Sequence, residues 1–310
     1  MPRVTICLPV YNCEDTIAAS LTSALAQTHE DFDCLVVDNA STDSTFELVT
    51  ALSDSRIRAV RNRENIGPNP NHNRCIELAK GDLIQFLHSD DLLLPNCLSR
   101  LAPAFENPRV GLAFARRRIE PPDTEWAVKY ATLHTPLEPL SSVNDGMSIV
   151  RRYVNQRSTG NWIGEPTSVM VRRSVLLEVG GFSPELCYCD DIELWLRVLA
   201  RSDAAWVDEE LSVRRHNDET LTANYSENDS AWLDRLWVLS ELARNRDLER
   251  RLRVRVRRQW AVTAAKKVVR ATQAPREVRA SRYGQLMRHF RCSLRPAHPE
   301  FNSGRYLHTR

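Results

Sequence analysis

The chain has 310 residues, 42% hydrophobic and 26% charged, the balance of a globular protein with ample material for a core rather than of a disordered or fibrous one. No apolar run reaches the roughly 18 residues a membrane helix needs, and eight scattered cysteines without a C-x-x-C pair exclude a zinc finger and a disulfide-framed secreted miniprotein. The formal net charge of +2 hides a split: residues 243–310 carry 19 Lys and Arg against 4 Asp and Glu, whereas the first 242 carry 23 against 36.

The chain runs from Met1-Pro2-Arg3 straight into Val4–Val10, a buried strand by composition, so no signal peptide is expected and the reading is cytoplasmic. A helix follows, with Ile17, Leu21 and Leu25 at helical spacing and Asn12 or Asp15 as its cap. Cys34–Val37 is a second strand, Phe46–Leu52 a second helix and Ile57–Val60 a third strand. A helix around 69–79 leads to the strand Leu83–His88, and Pro95 suits the first turn of the next helix, before the strand Val110–Ala115. This alternation predicts an α/β fold, a doubly wound, mostly parallel sheet with helices on both faces. Ligands of such sheets bind beyond the carboxyl ends of the strands, where Asp38 and the pair Asp90-Asp91 fall.

Residues 116–166 break the rhythm with Pro121, Pro122, Pro136 and Pro139 and are expected as an irregular insertion or lid. A strand over Thr167–Val171 and a helix over Ile192–Leu199, opening on Asp190-Asp191, restore order. From about residue 229 the pattern is helical, with Trp232, Leu236, Leu239 and Ala243, then Leu248, Leu252, Val256 and Trp260, on apolar stripes. The expected division is an α/β domain over 1–216 and a basic helical region over 217–310.

No G-x-G-x-x-G, P-loop, G-x-S-x-G or H-E-x-x-H motif occurs, which argues against a dinucleotide site, a P-loop, a serine-hydrolase elbow and a zincin. Two adjacent carboxylates, Asp90 and Asp91, repel each other where a buried strand emerges, unless a cation lies between them and an anionic ligand. Hard oxygen ligands of this kind suit Mg²⁺ or Mn²⁺ shared with substrate phosphates, although a helix cap or a solvated turn explains the pair equally well in isolation.

Four segments in order resemble the inverting family 2 glycosyltransferases of the GT-A fold: Pro9-Val10-Tyr11-Asn12-x-Glu14; Val36-Val37-Asp38-Asn39-Ala40-Ser41-Thr42-Asp43; Gly67 through Asn73 and Gly81-Asp82 into Ser89-Asp90-Asp91; and Asp190-Asp191-x-Glu193-Leu194-Trp195-x-Arg197. The resemblance spans about residues 3–216. It implies a nucleotide-sugar donor, UDP-linked in the usual case, held by Pro9, Tyr11, Asn12, Glu14 and Asn73, with Asp38 on the base and Asp90 near the ribose and sugar. It further implies Asp91 as the ligand of the metal on the diphosphate, Asp191 as the general base, and His216 beside the metal. Trp162 and Glu165 fall where the family has its acceptor-side loop, for stacking on a sugar and bonding its hydroxyls; a packed tryptophan and a turn account for them as well. Three departures stand out: Asn39 and Ala40 replace the usual Asp and Gly, His72 stands where many relatives have an arginine, and the later pair is Asp-Asp rather than Glu-Asp.

The arginine-rich run 250–258 would ring a helix with cations around Leu252, Val256 and Trp260. Such a helix suits peripheral contact with anionic lipid at the inner membrane face, and equally docking on the acidic body or on a second copy. No nucleic-acid recognition module accompanies the charge, so no nucleic-acid partner is expected. The acceptor class implied is a saccharide or a lipid-linked glycan. A non-catalytic scaffold with a basic tail and, with less support because the first loop lacks glycine, a sugar nucleotidyltransferase are the rival readings.

Overall fold

The computed structural model describes residues 3–157, 160–186, 188–215 and 233–294. Nine strands form one mixed sheet: β1 Val4–Val10, β2 Phe32–Asp38, β3 Ile57–Arg61, β4 Leu83–Phe86, β5 Leu92–Leu93, β6 Val110–Glu120, β7 Val143–Asn144, β8 Val169–Arg172 and β9 Asp203–Arg215. The order is β3-β2-β1-β4-β8-β6-β9-β5, with β7 also paired to β9. Strands β1 to β4 pair parallel, whereas β8 enters antiparallel between β4 and β6. That antiparallel entry has a functional consequence: the turn before β8 lies at the carboxyl end of β4.

The period of two along each strand divides the core. Ile6, Leu8, Val10, Cys34 and Val36 pack on one face with α1 (Ile17–Leu25), α2 (Thr45–Ala51) and α4 (Cys97–Leu101). Cys7, Leu35 and Val37 point the other way, into a cluster with α3 (Pro68–Leu78), α6 (Gly146–Asn155), α7 (Arg173–Val179) and α8 (Asp190–Leu199). Burial on both faces is why β1 and β2 read as continuous apolar runs rather than alternating ones.

The stretch expected to be irregular carries more order than its prolines suggest. Strand β6 continues through Arg116–Glu120 along β9, the short helix α5 spans Glu125–Tyr130, and α6 is capped by Asp145, whose side chain accepts from Ser148 N at 2.7 Å. Prolines end elements here without preventing the next one. Pro95, expected inside the following helix, lies just before it, and its carbonyl accepts from Thr28 N at 2.8 Å.

Beyond the sheet lie α9 (Asp234–Arg244), α10 (Arg250–Gln273) and α11 (Arg276–Leu294). Leu248, Leu252 and Val256 belong to the same buried cluster as α6 and α8, with Trp260 packed against it. Gln259 Nε2 donates to Val154 O at 2.7 Å, and Arg151 pairs with Glu249 at 2.6 Å. The apolar stripe that a lipid-embedded helix would need is thus spent on the body of the protein, and the cations occupy the outer face. Trp232 lies outside the described residues. No helix among those described is long and apolar enough to cross a membrane.

Candidate active site

The carboxyl ends of β1, β2 and β4 converge on one edge of the sheet. Asp38, at the last position of β2, is fully buried; Ser41 N donates to it at 3.2 Å, the Ser41 hydroxyl also bonds it, and Arg61 Nε lies 3.1 Å from Oδ2. The loop after β1 is laced to the loop after β2. Asn12, held at φ +46°, accepts from Thr42 N at 2.8 Å, and Glu14 accepts from Ser44 N at 2.9 Å. Asn12 and Glu14 therefore shape the pocket wall with their side chains, while Pro9 closes the strand and Tyr11 stands 45% exposed at the rim.

Asn39 organises this wall from the place where relatives carry an aspartate. Its amide donates to Asn65 Oδ1 at 2.8 Å and accepts from Asn62 Nδ2 and Ile66 N, both at 3.0 Å; Asn62 continues to Asn71 Oδ1 at 2.9 Å. An amide both donates and accepts, so it can join a chain of asparagines that a carboxylate would leave with unmatched acceptors. Asn73 was expected to face substrate. It instead clamps Phe182, donating to its carbonyl at 2.8 Å and accepting from its N–H at 2.7 Å, while Asn69 donates to Ser183 O and Leu186 O.

The turn after β4 brings His88, Asp90 and Asp91 together, with one ligand atom from each lying within 4.8 Å of the others. Two carboxylates and one imidazole form a donor set that fits Mg²⁺ or Mn²⁺. Ser20 of α1 holds the turn by donating to the Ser89 and Asp91 carbonyls, at 2.7 and 2.8 Å. Asp91 is 2% exposed and accepts from Thr167 Oγ1 at 2.7 Å and from Arg215 N at 3.1 Å. Burial, and after it the neighbouring Asp90, push its carboxyl up to about 8, as expected of two acids crowded together without a counter-ion. His72 stacks behind the turn, its Nε2 3.3 Å from His88 Nε2, and burial together with His88 keeps its imidazole neutral, at about 3.

Across the site, Asp191 opens α8. Asn161 Nδ2 donates to its Oδ2 at 2.7 Å and Ile192 N to its Oδ1 at 2.6 Å. Burial raises this carboxyl to about 6, against those two bonds, which pull it down. Asp190 is pushed well up by burial and by Asp191. Asn161 is itself fixed: its Oδ1 accepts from Ile163 N and Gly164 N, both at 3.0 Å.

Between the two acid pairs lies an ion cluster. Glu165 is 5% exposed and receives Arg117 Nε at 2.9 Å and Arg214 Nη1 at 3.3 Å. Burial is the strongest single influence on Glu165 and acts upward, but Arg117 and Arg214 together hold its carboxyl below the usual range. Arg214 in turn feels Glu165, Asp91, Asp191 and Asp90, so one guanidinium serves both acid pairs. Register shifts in β6 on either side of Arg116 turn Arg117 inward, which the run Arg116-Arg117-Arg118 does not advertise.

Two expected roles change. Trp162 is 7% exposed and packs edge-on to Tyr153 at 5.0 Å, so it is wall rather than a sugar platform. Glu165 is engaged by two arginines and holds the cluster together. His216 lies outside the described residues. Thr167, Asn161, Arg117 and Arg214 were missed in the sequence; for Thr167 and Asn161 the available sign was closeness to Glu165, for Arg214 the end of β9, and for Arg117 there was none.

Residues 5–180 match the family described as Glycosyl transferase family 2. The chain is 41% identical over 241 residues, 78% of its length and 76% of the other, to uncharacterized protein MT1568 of Mycobacterium tuberculosis. It is 34% identical over 120 residues to the UDP-Glc:alpha-D-GlcNAc-diphosphoundecaprenol beta-1,3-glucosyltransferase WfaP of Escherichia coli, a match over 39% of this chain and 48% of that one. In fold it resembles S. aureus TarS 1-349 in complex with UDP-GlcNAc, with a TM-score of 0.66 at 16% identity over 93% of this chain and 81% of that one. A mannosyltransferase of Pyrobaculum calidifontis in complex with GDP-Man and Mn²⁺ gives 0.60 at 17% identity, over 99% and 85%. Its ordered motifs, sheet topology and converging acids match this family across more than half of its length, and the chain belongs to glycosyltransferase family 2, with the GT-A fold.

Proposed function

We propose that the protein transfers a sugar from a UDP-linked donor to a hydroxyl of a lipid-linked or saccharide acceptor, with inversion at the anomeric carbon, in the synthesis of a polysaccharide or glycoconjugate at the inner face of the membrane. The observation that carries this reading is the pairing of a metal-competent turn, His88-x-Asp90-Asp91, with a separate carboxylate, Asp191, that is hydrogen-bonded in place across the Arg214–Glu165 cluster. The UDP-linked donor and the lipid-linked acceptor are supported by the name of the E. coli relative and by the UDP-GlcNAc complex of the TarS neighbour.

His88, Asp90 and Asp91 would hold a Mg²⁺ or Mn²⁺ ion, whose charge stabilises a departing diphosphate. Asp38 receives the base and Tyr11 covers it at the rim. The acceptor oxygen attacks the anomeric carbon as the bond to the diphosphate oxygen breaks, and the acceptor proton passes to Asp191. A carboxyl near 6 is ionised at neutral pH yet basic enough for this task. One acid on the face opposite the leaving group favours a single displacement over a covalent intermediate. The catalytic domain proposed is residues 1–216, followed by the basic helical region.

The test is transfer from UDP-glucose and UDP-N-acetylglucosamine to an alkyl-linked N-acetylglucosaminyl diphosphate, with the product's anomeric configuration read by NMR. An inverted product from one donor is expected. A retained configuration, or folded protein that binds no nucleoside diphosphate, contradicts the reading and moves weight to the scaffold alternative.

A further inference from the structure

Beside α8, and distinct from the turn after β4, lies a cleft of about 1250 Å³ along the outer face of α10. Its described lining includes seven arginines and two lysines and no carboxylate. The cations recur along one side of the helix, at Arg251, Arg255, Arg258, Lys266 and Arg270, while Leu252, Val256 and Ala264 face the core. At 1.5 Å per residue the row from Arg251 to Arg270 reaches about 28 Å along the helix. Like charges concentrated in a concave surface repel one another and raise the local concentration of anions.

Three details say what kind of anion fits. Cys189, Arg235 and Lys267 share this lining, and Cys189 lies close enough to Asp191 to feel its charge, so one wall of the cleft adjoins the proposed base. There the Nε of Arg235 is buried without a hydrogen-bond partner, and burial followed by the nearby Arg270 and Arg235 lowers the Lys267 ammonium below its ordinary range. Between the cations the cleft also presents Val254 and Val262, 41% and 57% exposed, an apolar strip that a purely ionic ligand would not use. A concave surface with cations and exposed valines side by side matches one amphiphilic molecule better than a flat bilayer.

We propose that this cleft is the binding site for an acceptor that carries its glycan on a diphosphate ester of a lipid, with the diphosphate on the arginines and lysines, the alkyl chain along Val254 and Val262, and the sugar hydroxyl delivered past Cys189 to Asp191. The acceptor role rests on the transferase reading above; the binding does not. Arginine suits the task because its planar fork pairs with two phosphate oxygens at once.

Arg251, Arg258 and Lys266 are exposed, so the triple substitution Arg251→Gln, Arg258→Gln, Lys266→Gln removes charge without opening the core. Calorimetry on the full chain saturated with UDP, using a short-chain alkyl diphosphate as probe, should show binding that weakens about tenfold or more in the triple variant. The alcohol of the same chain should bind neither protein measurably, and UDP affinity and melting temperature should be unchanged. Absence of diphosphate binding to the unsubstituted protein, or equal affinity in both, overturns the proposal. So does a triple variant that loses binding to phosphatidylglycerol vesicles yet keeps its affinity for the alkyl diphosphate, because the cations would then serve headgroups. Asp191→Asn should leave diphosphate binding intact while abolishing transfer, which separates failure of this site from failure of the base.

Discussion

The chain uses the dipeptide Asp-Asp twice, and the two copies have become different chemical objects. Asp90-Asp91 closes a strand, with His88 beside it and Thr167 and Arg215 N holding the buried Asp91 oxygens; a cation held there would relieve the crowding. Asp190-Asp191 opens a helix, where the N–H of Ile192 and the amide of Asn161 hold the Asp191 carboxylate. The same residues therefore give a metal-competent turn in one place and, in the other, the carboxylate proposed as the base. What separates them is the backbone element they terminate and the side chains brought in from elsewhere. One guanidinium, Arg214, balances both.

The largest effect that would sharpen this contrast is expected from Asp191→Asn. Transfer should fall by about 10²–10⁴-fold, the usual worth of a positioned base, while UDP affinity is preserved. Comparable activity in the variant would make the two pairs alike and break the comparison. Next, Asn161→Ala should lower kcat by about tenfold and move the acid limb of the pH profile. In the unsubstituted protein kcat/KM should decline below about pH 6 as Asp191 takes up a proton. The Asn161 bond lowers that value, so its loss raises the carboxyl further and shifts the limb to higher pH. A limb that stays in place would show that Asn161 only builds the loop.

Smaller effects test the walls. Trp162→Phe should cost about 1–2 kcal/mol of stability through lost packing on Tyr153, with acceptor KM unchanged; a raised KM at constant stability would restore the sugar-stacking role. Ala40 sits at φ +61°, a conformation glycine adopts at ease, so Ala40→Gly should be neutral to stabilising by up to about 1 kcal/mol in thermal unfolding.

Much of this was legible in the sequence because it depends on local pattern. Val4–Val10 and Phe32–Asp38 announce themselves by unbroken apolar runs, and acids at strand ends in a doubly wound sheet point to the site edge. The resemblance of four ordered segments did the rest for the family. What stayed hidden depends on register and long-range closure. The β6 irregularity that turns Arg117 inward leaves its neighbours looking like surface arginines, and Thr167 reaches Asp91 only because β8 runs antiparallel to β4. Asn73 and Trp162 illustrate the opposite case: polar or aromatic character suggests ligand contact, while the fold engages one as a backbone clamp and packs the other against Tyr153. The cationic face of α10 was visible as charge, but its cleft exists only once Leu252 and Val256 have docked against the body.

The most direct test of the division between the two acid pairs is a calorimetric titration of UDP, with and without Mn²⁺, into the unsubstituted chain, Asp91→Asn and Asp191→Asn. UDP binding should be strengthened by Mn²⁺ in the unsubstituted chain and in Asp191→Asn, and should lose that dependence in Asp91→Asn. Equal metal dependence in all three, or its loss in Asp191→Asn, would contradict the assignment of the metal to the turn after β4 and of the base to the start of α8.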